Sequence, residues 1–335
     1  MSMTPTPPLL SVRDLTVAFR VRGEDAPVVR DLSFDLHEGE TLGIVGESGC
    51  GKSMTALALM GLVPNPPGRI ASGSIRLGDE ELVAAAEARL RRVRGARISM
   101  VFQEPMTSLN PVFTVGEQIA ETARAHLGLS AREARDRAVE MLRLVGIPAP
   151  ERRVGDYPHQ LSGGMRQRVM IAIALVCEPQ VLIADEPTTA LDVTVQAQIF
   201  DLFRELQDRM NTAVILITHD IGVVAEMTDR VMVMYAGRKV EEGPAADFVA
   251  APRHPYARGL VNCVPRLVAD PPDVPEPLFE IPGLVPGAEA LARPGCAFAP
   301  RCPRAMPVCG REFPPVTASP GGRSVACWLD AEGAR

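Results

Sequence analysis

Apolar residues in this chain fall in short runs between polar turns, and the spacing within each run predicts its element. Val12, Leu15, Val17 and Phe19 mark a strand over 9–19, and Leu32, Phe34 and Leu36 alternate in a second over 31–36. Mainly apolar or β-branched runs at 42–45, 98–102, 180–184, 213–218 and 231–235 read as strands, with 73–78 a shorter one and 238–242 placed to pair with 231–235. Helical patterns stand between them at 54–60, 84–94, 114–127, 130–145 and 193–210. The helix over 130–145 opens with Ser130 and Glu133 at capping-box spacing. It carries Ala138, Met141, Leu142 and Val145 on one face. Its charged residues, Arg132 to Arg137, form a solvated face. No strand separates it from the helix before it. The pattern therefore predicts an alternating α/β core with a helical subdomain inserted over about 104–165.

The densest chemistry lies after the 42–45 strand. Gly46-Glu47-Ser48-Gly49-Cys50-Gly51-Lys52-Ser53 reads G-x-x-x-x-G-K-S, between a strand and a helix that starts near Met54. That context makes it a phosphate-binding loop. Its glycines let backbone N–H groups turn inward around an anion. The helix start adds partial positive charge. Lys52 is expected on the β- and γ-phosphates of ATP and the Ser53 hydroxyl on Mg²⁺.

Other polar groups stand just past strand ends, where open parallel sheets bind ligands. Asp185 and Glu186 follow an apolar strand; Asp185 suits the Mg²⁺ shell and Glu186 the general base that polarises water. Gln103 ends the 98–102 strand, within reach of metal and water or simply solvated. His219 ends the 213–218 strand, with a γ-phosphate contact or a structural role. Phe19, at the end of the first strand, is either an adenine-stacking ring or an ordinary core residue. Ser162-Gly163-Gly164 opens a helical run as a second anion site, which invites a dimer in which each chain covers the other's ATP. Asp192 suits the cap of the 193–210 helix.

Composition narrows the setting. The chain has 335 residues, 46% of them hydrophobic, and a net charge of −6, so no basic field for nucleic acid is implied. The apolar run 169–177 is too short to span a bilayer, and residues 1–10 show no secretory signal. These features predict a cytosolic chain held at a membrane, if it acts there, by another protein. Of 31 prolines, 16 lie from Pro252 onward, and such a segment has few backbone donors for helix or sheet. Cys296, Cys302, Cys309 and Cys327, spaced C-x₅-C-x₆-C-x₁₇-C, offer another source of order. Four thiolates can hold a [4Fe–4S] cluster or Zn²⁺; reduced, unliganded thiols are the third option. Trp328 stands beside Cys327 as a shield for such a site or as plain packing.

In sequence and in order, these motifs over 9–243 resemble the ATP-binding subunits of ABC transporters. The resemblance implies a P-loop NTPase (RecA-like) core and a head-to-tail dimer with ATP between two chains. It implies Phe19 on adenine, Gln103 on Mg²⁺ and in coupling, and His219 as a switch residue. It gives Ser162, Gly163, Gly164 and Asp192 roles in the ATP contacts, the first of these on the neighbour's triphosphate. Met165 departs from the Gln common at the fifth signature position. The runs Phe102 to Pro111, Leu161 to Arg168 and His254 to Leu260 are similar to dipeptide, oligopeptide and nickel importer ATPases. That branch implies a cell-membrane location, peripheral on the cytoplasmic side, and two transmembrane permease subunits. It also implies a paralogous or identical ATPase partner and an extracytoplasmic peptide-binding protein. For the cysteines it implies the [4Fe–4S] cluster. The expected domains are an ATP-binding domain over 9–250 and an extension over 251–335. Import of nickel or glutathione, or a non-transport ATPase on nucleic acid or ribosomes, are the alternative functions.

Overall fold

The computed structural model describes residues 7–103, 108–189, 191–264, 279–285, 294–319 and 321–333. The expected start of the helical subdomain at 104–107, with that part of the importer-like run, lies outside the described residues, as does most of the proline-rich stretch after Val264. The chain divides into two compact units, one of 1–10, 36–41 and 77–217, the other of 11–35, 42–76 and 218–335.

The first unit holds three parallel strands, Ile98–Val101, Val181–Asp185 and Ala213–Ile217. Their register runs Ile98 to Val181 and Val181 to Ala213. Every residue in them is buried, which is why, apart from Ser99 and the terminal Asp185, their sequences are apolar instead of alternating. The helical insert follows its pattern closely. Val115–Leu127 is capped by Thr114, whose side chain accepts the Glu117 N–H. Ala131–Leu144 carries the complete Ser130–Glu133 capping box, and its stripe of Ala138, Met141, Leu142 and Val145 is fully buried. Gly116 is there because a Cβ would lie 2.2 Å from the Val154 side chain. Gly163–Leu175 completes this layer.

The second unit contains a five-strand run in the order Val316–Ser319, Arg323–Ala326, Arg238–Pro244, Arg230–Tyr235, Thr41–Val45. Thr41–Val45 pairs with Arg230–Tyr235 in parallel, Leu42 opposite Arg230, and the other pairs are antiparallel. The expected pairing of 238–242 with 231–235 is therefore present. Leu10–Val21 lies between Glu24–Leu36 and Gly68–Leu77 in another sheet. Two expectations need correction. The first strand does not end at Phe19 but runs on to Val21. The extension is not short of regular strands: its last part is a hairpin turning at Gly321 and Gly322, and Val325 registers with Glu241 of the core strand. The tail adds its apolar weight here too. Tyr256 and Phe298 pack on Tyr235 with ring centroids 4.6 and 5.2 Å from it.

Candidate nucleotide site

In the second unit, the buried strand Thr41–Val45 delivers the chain to the phosphate loop. Gly46 begins the loop against the Arg230–Tyr235 strand, where a Cβ would sit 2.2 Å from the Met234 carbonyl oxygen. Gly51, at φ 99°, is the N-cap of the helix Lys52–Leu59. A Cβ there would meet the Val28 carbonyl at 2.8 Å. Ser48, Gly49 and Ser53 are exposed along the loop, Met54 is half-buried, and Cys50 is buried under it. Burial pushes the Cys50 thiol pKa up, against the pull of Lys52. Lys52 is only 5% exposed. Its ammonium donates to the carbonyls of Gly46 at 2.7 Å and Glu47 at 3.2 Å. The loop thus wraps its own cation, which fixes one positive charge within it.

His219 is exposed in the same unit. Thr218 before it donates its N–H to the Ile44 carbonyl at 3.3 Å. Asp220 after it caps Ile221–Met227 by accepting the Gly222 and Val223 N–H groups. These two contacts fix the His219 segment beside the strand that feeds the loop. Phe19 is half-buried, and its ring lies close enough to Gly68 that a Cβ there would be 2.9 Å from the ring edge.

In the first unit, the strand Val181–Asp185 ends in the buried Asp185. Glu186 follows in a left-handed turn at φ 46°, a conformation that costs a non-glycine residue about 1–3 kcal/mol. Its N–H donates to Ile217 at 2.9 Å. One carboxylate oxygen, Oε2, accepts both the Gln103 amide at 2.8 Å and the Thr189 hydroxyl at 3.0 Å. The predicted base and the predicted coupling residue thus touch. Thr189 was missed by sequence reasoning; it lies three residues past the carboxylate, and nothing in its type marks it.

Ser162 is exposed and is the N-cap of Gly163–Leu175, its hydroxyl accepting the Met165 N–H at 3.3 Å. Gly163 is exposed beside it. Gly164 packs on the start of Val193–Met210, where a Cβ would lie 2.9 Å from Val195. Asp192 caps that helix by accepting the Val195 N–H at 3.0 Å, so the capping expectation holds.

The extension contributes residues that sequence reasoning did not place near the loop. Tyr256 is fully buried, and its hydroxyl accepts the Glu47 N–H at 2.8 Å. Arg301 forms a two-point ion pair with the Glu47 carboxylate at 2.7 and 2.9 Å. Tyr256 stood in the His254–Leu260 run, which pointed to a family but to no contact. Arg301 gave no signal beyond its place next to Cys302. The four predicted cysteines line one small pocket together with Phe298 and Trp328. Cys296 donates its N–H to the Cys309 carbonyl at 2.8 Å. Burial raises the thiol pKa values of Cys302 and Cys327, and that of Cys296 to about 11. Among the described residues, no three of His, Cys, Asp and Glu come together as a site for a single metal ion. No helix among them is long and apolar enough to cross a membrane.

Two family models match this sequence: ABC transporter over residues 29–189, and oligopeptide/dipeptide transporter, C-terminal region, over 240–309. The dipeptide transport ATP-binding protein DppD of Bacillus subtilis is 50% identical over 321 residues, 96% of this chain and 94% of its own length. The oligopeptide transport ATP-binding protein OppD of Salmonella typhimurium is 52% identical over 324 residues, 97% and 94% of the two chains. Among solved structures, the dimeric ATP-binding cassette MJ0796 in a post-hydrolysis state with ADP and Pi aligns with a TM-score of 0.63 at 28% identity. That alignment covers 70% of this chain and 98% of that one. CbiO1 from Clostridium perfringens, part of the cbiONQ complex, aligns at 0.62 and 29%, covering 73% and 92%.

Proposed function

From the premise that this chain belongs to the ATP-binding proteins of ABC transporters, we propose that it is the ATPase subunit that energises di- or oligopeptide uptake. What carries the reading is that both matched regions stand on one chain, the ATP-binding region and the oligopeptide/dipeptide C-terminal region.

In this reading the backbone amides of the Gly46–Ser53 loop other than that of Glu47, which Tyr256 holds, and the Lys52 ammonium take the phosphates, and Phe19 the adenine. Ser53, Asp185 and Gln103 offer oxygen donors, the kind a hard cation such as Mg²⁺ takes. When bound, that ion neutralises phosphate charge. Glu186, oriented by Gln103 and Thr189, accepts the proton of the attacking water, and His219 contacts the γ-phosphate. Ser162, Gly163 and Gly164 cover the ATP of a second ATPase chain, a paralogue or a copy of this one, and Asp192 takes part in the ATP contacts. Its partners are two permease subunits and, through them, an extracytoplasmic peptide-binding protein; this holds the chain on the cytoplasmic face of the membrane. The ATP-binding domain spans 9–250 and the extension 251–335.

For the extension, the donor set fits an iron–sulfur cluster: four soft thiols sharing one pocket with apolar and aromatic neighbours, the chemistry such clusters take. Cys296, Cys302, Cys309 and Cys327 would hold it, and it would cross-link the tail. Iron and acid-labile sulfide near four per chain after anaerobic purification are expected for that cluster; their absence overturns this part.

The function is tested with the full complex in vesicles. ATP on the ATPase side drives peptide accumulation in the wild type and none in Lys52→Ala. ATP-driven accumulation of nickel without peptide refutes the substrate reading.

A further inference from the structure

The phosphate loop of this chain carries a group of the wrong sign. Glu47 is its second residue, so a carboxylate sits on a loop whose other features serve an anion. A loose carboxylate beside a triphosphate repels it, and a partly desolvated one does so strongly. We propose that Arg301, with Tyr256, is a positioning residue for ATP binding: the extension grips Glu47, neutralising its carboxylate and fixing its backbone, so that the loop stays receptive to phosphate.

The grip is built at both ends of the residue. At the side chain, Arg301 meets Glu47 with both terminal nitrogens, Nη1 to Oε2 and Nη2 to Oε1. This forked geometry is the strong form of the ion pair. At the main chain, the Glu47 N–H is taken by the Tyr256 hydroxyl. Neither partner is a loose surface side chain. The Arg301 side chain is 5% exposed. Its Nε donates to the Pro282 carbonyl at 2.9 Å and its Nη1 to the Tyr235 hydroxyl at 3.3 Å. Tyr256 is wedged between Tyr235 and Phe298, at 4.6 and 5.4 Å. A guanidinium held by several acceptors cannot follow the carboxylate if the carboxylate swings away. Glu47 therefore stays where Arg301 is.

The cysteine pocket fixes where Arg301 is. Arg301 lies between Cys296 and Cys302 in a tight succession of turns. The Ala299 N–H donates to Cys296, the Arg301 N–H to Phe298 and the Cys302 N–H to Ala299. The same few peptides thus set two of the four thiols and the guanidinium. This gives the extension a part in nucleotide affinity as well as in stability.

The inference rests on the loop's binding ATP, and the experiment separates the two. ATP and ADP dissociation constants are measured by equilibrium titration on the full-length chain, at low and high salt, with near-ultraviolet circular dichroism to verify folding. Arg301→Gln is expected to weaken ATP by roughly 30-fold or more, the low end of the cost of stripping one partner from a desolvated charge pair. It should weaken ADP less, since ADP carries less charge, and the defect should shrink as salt rises. Adding Glu47→Gln to Arg301→Gln removes the uncovered carboxylate and should restore most of the lost affinity. A purely structural ion pair predicts no such rescue and equal losses for ATP and ADP; either result overturns the proposal. Should Arg301→Gln not fold, Arg301→Lys decides. It keeps the charge but not the fork, and wild-type ATP affinity in that chain refutes the grip. A wild-type chain that binds no ATP sinks the ATP reading itself, whereas wild-type binding matched by folded Arg301→Gln sinks only this inference.

Discussion

Replacing Glu186 with glutamine tests the assignment of the general base, because the local geometry separates basicity from structure. Two contacts of the Glu186 side chain, from Gln103 at 2.8 Å and Thr189 at 3.0 Å, fall on the same oxygen, Oε2. A glutamine can put its carbonyl oxygen there and keep both. The amide nitrogen then occupies the place of Oε1. The two retained hydrogen bonds lose their charge assistance, a change of about 1 kcal/mol each, reduced by the partial exposure of Glu186. Folding stability should therefore drop by no more than about 1–2 kcal/mol. Proton acceptance is abolished outright, and general-base assistance is worth roughly 10²–10⁴ in rate, equivalent to about 2.7–5.4 kcal/mol of barrier. The assay is single-turnover phosphate release with the intact transporter, alongside ATP binding and a thermal melt. The expected pattern is unchanged ATP affinity, a melting temperature within a few degrees of wild type, and phosphate release slowed at least a hundredfold. Parental phosphate release from a folded Glu186→Gln chain would falsify the base assignment.

Two further perturbations read other parts of the structure. Asp192→Ala removes the acceptor of the Val195 N–H and should cost about 1 kcal/mol of stability, seen as a lower denaturant midpoint; no shift would mean that the Val193–Met210 helix does not depend on this cap. His254 is 1% exposed and held neutral, its pKa pulled down by burial to about 3 from 6.5. Its Nδ1 accepts the Tyr256 N–H. Below pH 6.5 the unfolded chain takes a proton that the folded chain refuses, so this contribution is whole above pH 6.5 and lost as pH falls, by about 2 kcal/mol between 6.5 and 5. Glu241, whose pKa burial raises, acts in the opposite sense, favouring folding at lower pH. The comparison is therefore with His254→Asn, which keeps an acceptor for Tyr256 and leaves Glu241 in place. Denaturation curves across pH 5–7 should show a shallower loss of stability on acidification in the variant, and parallel curves would refute a buried neutral histidine.

Most of what was legible in the sequence was local. The strands of the first unit are mostly apolar because both faces are covered, and a run such as Val181 to Ala184 before a carboxylate leaves little else to be. The phosphate loop, the Ser130 capping box and the Asp192 cap each write their geometry in residue types a few positions apart. The features that escaped are those in which distance along the chain hides proximity. Glu47 and Arg301 are 254 positions apart, and neither residue type announces the other. The hairpin Val316–Ser319 to Arg323–Ala326 is short and rich in Thr, Ser and Arg, and only one of its strands has buried residues. Alternation is correspondingly faint there, and the surrounding prolines masked it. The left-handed backbone at Glu186 escaped for a different reason. Glycine usually signals such a turn, and here a functional carboxylate occupies it instead.

The packing of the second unit runs straight across the boundary at residue 250 that composition suggests. Glu241 lies in the strand Arg238–Pro244, on the ATP-binding side of that boundary, and is 3% exposed. A carboxylate so placed is tolerable only if its oxygens are occupied. The groups that occupy them come from beyond residue 250: the N–H groups of Arg253 and His254, and the Arg323 guanidinium. Arg253 is in turn clamped by Asp330 through two nitrogens. The strand containing Arg323 continues the sheet at Glu241 itself. A charge of the core strand is thus satisfied by the tail, just as Glu47 is. Two carboxylates, one inside the phosphate loop and one in a core strand far along the chain, are each met by an extension arginine, Glu47 by Arg301 and Glu241 by Arg323. The extension therefore folds with the loop-bearing unit as one hydrogen-bonded system, and a proline-rich composition describes its local chain without describing what holds it.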